Sequence, residues 1–257
     1  MFKLKEKWRL LITENNNAFR NMAIDKAVLK SNSEKKVPPT VRFYTWTPPA
    51  ISIGYFQSLE EEVDLSVCRD FGVDYVRRIT GGGAVFHDKE LTYSIVIPES
   101  HNQIPKKIID SYERICGAVI KGLKHLGIDS KYAPINDIIS NGKKISGNAQ
   151  TRKEKTVLQH GTVLMDVDVE KMFSLLKVPN EKIKDKLIKD VKQRVTSVKD
   201  SLKKDIAFSK AAESMKHGFE KEFNVDLIKD NLTDYELELT DKFERQFFST
   251  KEWNHKR

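Results

Sequence analysis

Several features that would mark a protein class are scarce in this chain of 257 residues. It has two cysteines, Cys68 and Cys116, which are too few for a disulfide framework and favour a reducing compartment. No stretch approaches the roughly 20 apolar residues that are needed to span a bilayer. The first eight residues also lack the apolar core of a signal peptide. We therefore expect a cytoplasmic protein that is not embedded in a membrane.

Signatures of metal and nucleic-acid binding are scarce as well. The sequence has no Cys-x-x-Cys motif and no closely spaced histidine pair, which argues against a structural zinc site. Its net charge is +8, but it has neither an arginine-rich tract nor a basic motif flanked by aromatic residues. The charge therefore predicts a solvated, lysine-rich surface rather than a nucleic-acid partner. An acidic macromolecular partner stays open as an alternative.

The spacing of apolar residues predicts one α+β domain over residues 1–257, without internal repeats or linkers. Apolar residues recur at helical spacing over 18–30 and 108–126, and again over most of the chain after residue 170. Strand-like patterns cover 41–46, 50–53, 73–76, 91–97 and 157–165. Helices around a run of hairpins indicate a mixed, largely antiparallel sheet flanked by helices.

The most informative stretch is Arg77-Arg78-Ile79-Thr80-Gly81-Gly82-Gly83-Ala84-Val85-Phe86-His87-Asp88. Ordering three consecutive glycines is costly, so a chain keeps them where its backbone must come very close to something. Bare amides and two guanidinium groups favour an anion at this place, although a purely conformational role is the alternative. Because strand-like segments flank the loop on both sides, it matches neither a Walker loop nor a Rossmann fingerprint, which open helices.

Three shorter polar motifs follow along the chain. They are Asn136-Asp137, Lys143-Lys144-Ile145-Ser146-Gly147-Asn148-Ala149 and Gln159-His160-Gly161-Thr162. Taken alone, each has an ordinary explanation as turn residues, solvated lysines or a packed histidine. The second follows Asn141-Gly142, a dipeptide that predicts a tight hairpin turn. Since side chains alternate along a strand, at most one of the two lysines points into a site.

Together, the glycine-rich stretch and the three motifs resemble the lipoate–protein ligase family, whose catalytic domain is related to that of biotin ligases. Weaker similarities lie at Asn21-Met22-Ala23-Ile24-Asp25 and at Arg194-Val195-Thr196. The resemblance implies the biotin/lipoate protein ligase catalytic-domain fold for the whole chain. It also implies that the C-terminal accessory domain of many members is absent here and carried by a separate protein.

The resemblance implies ATP-dependent activation of lipoate to lipoyl-AMP with Mg²⁺, followed by lipoyl transfer to one lysine of an acceptor protein. The acceptors would be lipoyl-domain proteins such as E2 subunits of 2-oxoacid dehydrogenases and the glycine cleavage H protein. The separate accessory subunit would be needed for adenylate formation. The charge of +8 would then steer acidic lipoyl domains to the enzyme.

The same resemblance implies roles for individual residues. Lys144 would be catalytic, contacting the activated carboxyl group and the phosphate. Asp137 would also hold the magnesium ion. The residues implied to bind lipoyl-AMP are Arg78, Thr80, Gly83, Ala84, Val85, His87, Asn136, Asp137, Lys144, Ser146, Gly147, Ala149 and His160.

Two alternatives remain open at this point. One is an ATP-independent lipoyl or octanoyl transferase of the same fold. Related octanoyltransferases use a cysteine nucleophile near the segment before the hairpin, but residues 133–137 read Ala-Pro-Ile-Asn-Asp, so that a thioester route would have to recruit Cys68 or Cys116. The other is a non-catalytic subunit that binds lipoate or a lipoyl domain, and the presence of both Arg78 and Lys144 argues against it.

Overall fold

The structure is a computed structural model, which describes residues 5–178 and 181–257. Two segments lie outside the described part, residues 1–4 and residues 179–180. The first of them is half of the N-terminal segment considered above. The strands are β1 (Glu6–Asn16), β2 (Thr40–Trp46), β3 (Ala50–Ile53), β4 (Asp74–Arg77), β5 (Val85–His87), β6 (Glu90–Pro98), β7 (Lys131–Ala133), β8 (Asp137–Ser140), β9 (Lys143–Lys153), β10 (Thr156–Leu164) and β11 (Val225–Lys229).

The helices lie mostly before β2 and after β10. They are α1 (Ala18–Ser33), α2 (Leu59–Glu62), α3 (Leu65–Asp70), α4 (Ile108–His125), α5 (Val169–Leu175), α6 (Glu181–Arg194), α7 (Val198–Leu202), α8 (Phe208–Phe223), α9 (Asp234–Phe243) and α10 (Lys251–Asn254), with a π-helical turn at Glu244–Phe248. No helix in the described ranges is long and apolar enough to cross a membrane.

Within the described residues, eight strands form one mixed sheet in the order β11-β1-β2-β6-β10-β9-β8-β7. β1 pairs in parallel with β2 and β11, and the paired strands from β2 to β7 run antiparallel. A smaller sheet, in the order β4-β3-β5, carries the glycine-rich loop. The predicted α+β fold, with a mixed and largely antiparallel sheet flanked by helices, is confirmed.

The large sheet is covered by helices on both faces. Along β6, Ile95 belongs to the core that includes α4 and α8, whereas its neighbour Val96 belongs to the core that includes α1. Successive strand residues point to opposite faces, so that β6 is buried along almost its whole length. This double cover fixes the register, because a slip of one residue would exchange the two cores.

The predicted helices over 18–30 and 108–126 appear as α1 and α4. The predicted hairpin is also present, and its turn is formed by Asn141 and Gly142, which have positive φ angles of 48° and 77°. The chain after residue 170 is mostly helical as predicted, but β11 was missed. This strand has five residues and follows α8 after a single residue. Its partner β1 is more than two hundred positions away, so local periodicity carries no signal for the pairing.

Candidate functional site

The glycine-rich loop lies between two strands, as predicted, but it leads into the short strand β5, which was not predicted, and not directly into the predicted strand over 91–97. Arg78 holds this loop from within. Its Nη2 donates to the carbonyl oxygens of Gly81 at 2.9 Å and Gly83 at 2.7 Å, and its Nη1 donates to the carbonyl of Ser52 at 2.9 Å. Burial lowers the pKa of the Arg78 guanidinium to about 10, which leaves it charged at neutral pH. The loop is therefore organised around a buried cation.

The close backbone approach that three glycines suggested is made to the chain itself. A Cβ atom on Gly54, just after β3, would lie 1.9 Å from the carbonyl oxygen of Gly82. Gly82 has a φ of 100°, a conformation that other residues rarely adopt. A Cβ atom on Gly81 or Gly83 would meet nothing within 4 Å. Of the three, Gly82 is thus the glycine that the loop geometry requires.

A cavity of about 340 Å³ lies beside the loop. Its wall brings together residues that the sequence had singled out in separate motifs. These are Arg78, Gly83, Ala84, Val85, His87, Asn136, Lys144, Gly147, Ala149 and His160. Of the remaining predicted site residues, Thr80, Asp137 and Ser146 lie outside the wall, and the first two contact residues within it.

Lys144 enters the wall from β9. Its Nζ lies 2.8 Å from Oδ1 of Asp137 on the paired strand β8, and its side chain is 41% exposed. The two strands shift register between Ile138 and Ile139, which leaves an extra residue on β9 beside Lys144. Lys143 is exposed and outside the wall, in agreement with the expectation that at most one of the two lysines points inward.

The lysine is also packed closely against the wall. A Cβ atom on Gly147 would lie 2.8 Å from Nζ of Lys144, so the glycine leaves the space that the ammonium group occupies. The backbone carbonyl of Lys144 accepts a hydrogen bond from the amide of Thr196 at 2.8 Å, and the neighbouring Val195 lines the cavity. The Arg-Val-Thr segment noted in the sequence therefore closes one side of the site.

The residues around Asp137 do not by themselves form a magnesium site. In the described parts of the chain, no three or more His, Cys, Asp or Glu side chains are grouped so that they could hold a metal ion. The Asp137 carboxylate is instead engaged by Lys144. Mg²⁺ is usually held by one or two carboxylates together with substrate phosphates and water, so the Asp137 carboxylate alone does not make a site for it.

His160 ties the loop to the sheet. Its Nε2 lies 2.7 Å from the hydroxyl of Thr80, and its Nδ1 lies 3.4 Å from Oδ2 of Asp25 on α1. Asp25 also accepts hydrogen bonds of 2.8 Å from Arg42 and from Ser94. Burial lowers the pKa of His160 below its usual 6.5, and the nearby carboxylate only partly offsets this. His160 is therefore a neutral member of the cavity wall.

A second histidine, His87, lies at the end of β5. Its Nδ1 lies 2.7 Å from Oε1 of Glu90, and its Nε2 lies 2.7 Å from Oγ of Ser52. The imidazole stacks on Trp46, with ring centroids 4.0 Å apart and planes inclined by 14°. His87 is held on both ring nitrogens and on one face, so its orientation is fixed.

Beyond Ala84 and Val85, the apolar part of the wall had no predicted site role, although Met22, Phe86 and Val195 lie in motifs noted in the sequence. This part is formed by Met22, Trp46, Phe86, Leu164, Val167, Met172, Val191 and Val195. These residues come from segments that are far apart in the chain and from six different helices and strands or their flanking loops. An apolar residue that lines a cavity has the same local pattern as one in the core, so no sequence signal distinguishes the two. The buried polar residue Ser52, on β3, was also missed, because its importance depends on a partner that is distant in the sequence.

Neither cysteine belongs to the cavity. Cys68 and Cys116 are 1% and 0% exposed, and neither contributes to the wall. Burial raises the pKa of Cys68 to about 11 and that of Cys116 to about 12. A nucleophilic cysteine needs an accessible thiolate, and these two thiols are buried and protonated at neutral pH.

An apolar cavity whose wall includes one lysine and two histidines, built at the junction of two sheets, is typical of an enzyme domain that binds a small molecule. The family model of the lipoyl protein ligase A/B catalytic domain matches residues 17–220. The chain belongs to this family.

Individual relatives match along almost the whole chain. The octanoyltransferase LipM of Anoxybacillus flavithermus is 37% identical over 98% of this chain and 99% of its own length. A structure of the bipartite lipoate protein ligase of Thermoplasma acidophilum, studied with its E2 lipoyl domain, has a TM-score of 0.88 and 31% identity, covering 97% of this chain and 96% of that one. A lipoate-protein ligase A structure with bound ATP has a TM-score of 0.84 and 30% identity, covering 97% and 98%. These structures confirm the predicted catalytic-domain fold.

The relatives correct the predicted main activity. Curated relatives that match over nearly the full chain are octanoyltransferases, so the prediction of an ATP-dependent lipoate–protein ligase is wrong. The alternative, a transferase of the same fold, is better supported. ATP, Mg²⁺ and lipoyl-AMP were expected together with the ligase activity. The octanoyltransferase relatives do not support them, whereas the similar lipoate-protein ligase A structure has ATP bound. The expected accessory subunit stays a prediction.

Proposed function

We propose that this chain is an acyltransferase that moves an octanoyl or lipoyl group from an activated donor to a lysine of a lipoyl-domain protein, without ATP. The observation that carries the proposal is the cavity that joins an apolar wall to Lys144 and two histidines. Such a site can hold an acyl chain by its tail and place the reacting carbonyl among polar groups. An activated donor supplies the energy for amide formation, so no nucleotide is needed.

The cavity volume suits a short acyl chain. Ligand pockets in proteins usually measure about 300 to 1,000 Å³, and the 340 Å³ found here lies at the lower end of that range. Its apolar lining would stabilise a bound chain by about 0.8 kcal/mol for each methylene removed from water. For the six methylenes of an octanoyl group this amounts to about 5 kcal/mol, before the cost of association is subtracted.

The polar groups have separate roles in this proposal. Lys144 would lie near the carbonyl oxygen, where negative charge develops as the amine attacks, and Asp137 keeps the ammonium group in place. Arg78 adds a second positive charge, with two of its hydrogen bonds going to the loop and two to Ser52. His160, with its lowered pKa, would contribute a neutral polar surface next to the acyl chain.

The proposed acceptor is a lipoyl domain. The T. acidophilum relative is a lipoylation enzyme studied with its E2 lipoyl domain, and it shares almost the whole fold with this chain. Lipoyl domains are generally acidic around the modified lysine, so the net charge of +8 favours their encounter with this chain. E2 subunits and the H protein therefore remain the expected acceptors.

The test is mass spectrometry of a lipoyl domain incubated with this chain and octanoyl-carrier protein, with no ATP present. We expect the mass of one octanoyl group on one lysine of the lipoyl domain. A parallel reaction contains free octanoate, ATP and Mg²⁺ in place of the carrier-bound donor. Modification in that second reaction alone would overturn the proposal.

A further inference from the structure

The interactions of His87 extend in both directions to form a connected series of hydrogen bonds. Ser52 Oγ lies 2.7 Å from His87 Nε2, and His87 Nδ1 lies 2.7 Å from Glu90 Oε1. All three residues are at most 5% exposed. Ser52 and His87 line the cavity, whereas Glu90 lies behind the imidazole. A hydroxyl, an imidazole and a carboxylate in this order match the arrangement that activates serine nucleophiles.

The neighbouring groups determine which way the protons point. Trp46 Nε1 can only donate, and it donates to the hydroxyl of Thr92 at 2.8 Å. Thr92 then donates its one hydroxyl proton to Oε1 of Glu90. Oε1 of Glu90 accepts this bond together with one from Nδ1–H of His87. In the neutral imidazole with its proton on Nδ1, Nε2 is the nitrogen without a proton, and it faces Ser52 as a general base requires.

A positive charge completes the arrangement around the hydroxyl. Arg78 Nη1 donates to Ser52 Oγ at 3.0 Å, while the serine proton points to His87. A buried guanidinium next to an oxygen favours the partial negative charge that appears when the proton leaves. In the absence of a cysteine in the cavity wall, Ser52 is the one hydroxyl of the described residues that has both a histidine base and a place in that wall.

A second group of similar composition does not meet these conditions. Thr80, His160 and Asp25 are also connected through the two ring nitrogens. However, Thr80 lies outside the cavity wall, and the separation between His160 and Asp25 is 3.4 Å, compared with 2.7 Å between His87 and Glu90. Asp25 is also shared with Arg42. This group connects the loop to the sheet and does not present a hydroxyl to a ligand.

From these contacts we propose that Ser52 is the nucleophile of the acyl transfer, with His87 as its base and Glu90 as a residue that positions His87. The inference rests on the proposed function. Ser52 Oγ attacks the carbonyl carbon of an acyl thioester, a C–O bond forms, the C–S bond breaks, and the hydroxyl proton passes through His87 Nε2 to the departing thiolate. The neutral acceptor lysine then attacks the ester, a C–N bond forms, the C–O bond breaks, and a proton from the amine returns through His87 to Ser52.

The experiment begins with the full chain and octanoyl-carrier protein in the absence of any acceptor. We expect intact-protein mass spectrometry to find one octanoyl group, and peptide mapping to place it on Ser52. Ser52→Ala should abolish this adduct and reduce transfer by at least about 10³-fold. Ser52→Cys should keep an adduct, now as a thioester that neutral hydroxylamine cleaves much faster. Ser214→Ala is the matched control, since Ser214 is a buried serine on α8 outside the cavity wall.

Glu90→Gln tests the positioning role separately. It should lower kcat without raising KM for the carrier-bound donor, because Glu90 does not touch the donor. Circular dichroism and unfolding midpoints of all variants report whether each one is folded. If a folded Ser52→Ala variant transfers octanoate as fast as the unchanged chain, or if the adduct maps to Lys144 or a cysteine, Ser52 is not the nucleophile.

The same assays separate failure of this inference from failure of the proposed function. Transfer to the lipoyl domain that survives in Ser52→Ala leaves the acyltransferase proposal standing and overturns the serine route. An adduct on Ser52 without transfer to a lipoyl domain supports the serine route and overturns the proposed acceptor. Absence of both adduct and transfer overturns both.

Discussion

Nζ of Lys144 lies 2.8 Å from Oδ1 of Asp137 across the paired strands β9 and β8, and a glycine at 147 leaves the space for it. The ion pair connects two motifs that are separate in the sequence, the Asn-Asp pair before the hairpin and the lysine after it. It holds the ammonium group at the cavity wall before any ligand arrives. Groups that are placed in advance stabilise developing charge without the cost of reorganisation.

The first prediction concerns this lysine. Lys144→Ala should reduce octanoyl transfer to a lipoyl domain by about 10² to 10³-fold, the usual effect of removing one group that stabilises charge on a reacting carbonyl. Lys143→Ala is the matched control, because Lys143 is adjacent, exposed and outside the wall. Initial rates measured by mass spectrometry decide the matter, and equal rates for the two variants would remove Lys144 from the mechanism.

The second prediction concerns the glycine-rich loop. Gly82→Ala should destabilise the protein by at least about 1 to 2 kcal/mol, because a φ of 100° is strained for alanine and its Cβ atom would lie 2.9 Å from Arg78 Nη2. Gly81→Ala should be near neutral, since its Cβ atom meets nothing within 4 Å. Urea unfolding of both variants tests the difference. Equal losses of unfolding free energy would mean that the loop needs glycine for another reason.

The sequence predicted the polar part of the site better than the apolar part. Lys144 and His160 were found because their motifs, together with the glycine-rich stretch, resemble a known family, whereas each motif alone has an ordinary explanation. Met172 and Val191 were not found, because the cavity wall is assembled by the tertiary packing of α5 and α6. Ser52 escaped notice for a related reason, since its significance depends on His87, which lies on a paired strand 35 positions away.

In the fold, elements with a local sequence signal were predicted, and a strand defined by long-range pairing was not. Strong periodicity revealed α4, and the turn dipeptide revealed the β8–β9 hairpin, because both signals are local. β11 was missed because it is defined by parallel pairing with β1 at the other end of the chain. Strand pairing over such a distance depends on packing that no short window of sequence contains.

The third prediction concerns the pH dependence of stability. The pKa of His160 is lowered by burial, so below pH 6.5 the unfolded chain takes up a proton that the folded protein does not. The free energy of unfolding should therefore fall as the pH drops from about 6.5 towards the folded-state pKa, by up to about 1.4 kcal/mol per pH unit for this residue. Asp25, whose pKa is also below its usual 3.8, acts in the same direction only in more acidic solution.

Urea unfolding at pH 7.5 and pH 5.5 measures this dependence. His160→Gln should lose less stability between the two pH values than the unchanged chain, because the titrating group is gone. His125→Gln is the control, since His125 is exposed on α4. If His160→Gln and His125→Gln lose the same unfolding free energy between pH 7.5 and pH 5.5, groups other than His160 cause the pH dependence.

The fourth prediction concerns the length of the acyl chain. If the wall formed by residues such as Met22, Leu164 and Val195 holds the acyl tail, a hexanoyl donor loses two buried methylenes relative to octanoyl. At about 0.8 kcal/mol for each methylene, kcat/KM should fall by about 15-fold. Leu164→Ala should reduce the ratio of kcat/KM for the octanoyl donor to that for the hexanoyl donor. Leu237→Ala, at an exposed site on α9, should leave this ratio unchanged. Equal kcat/KM values for the two donors would show that the acyl tail lies outside this cavity, and the polar groups at its wall would then need a different substrate.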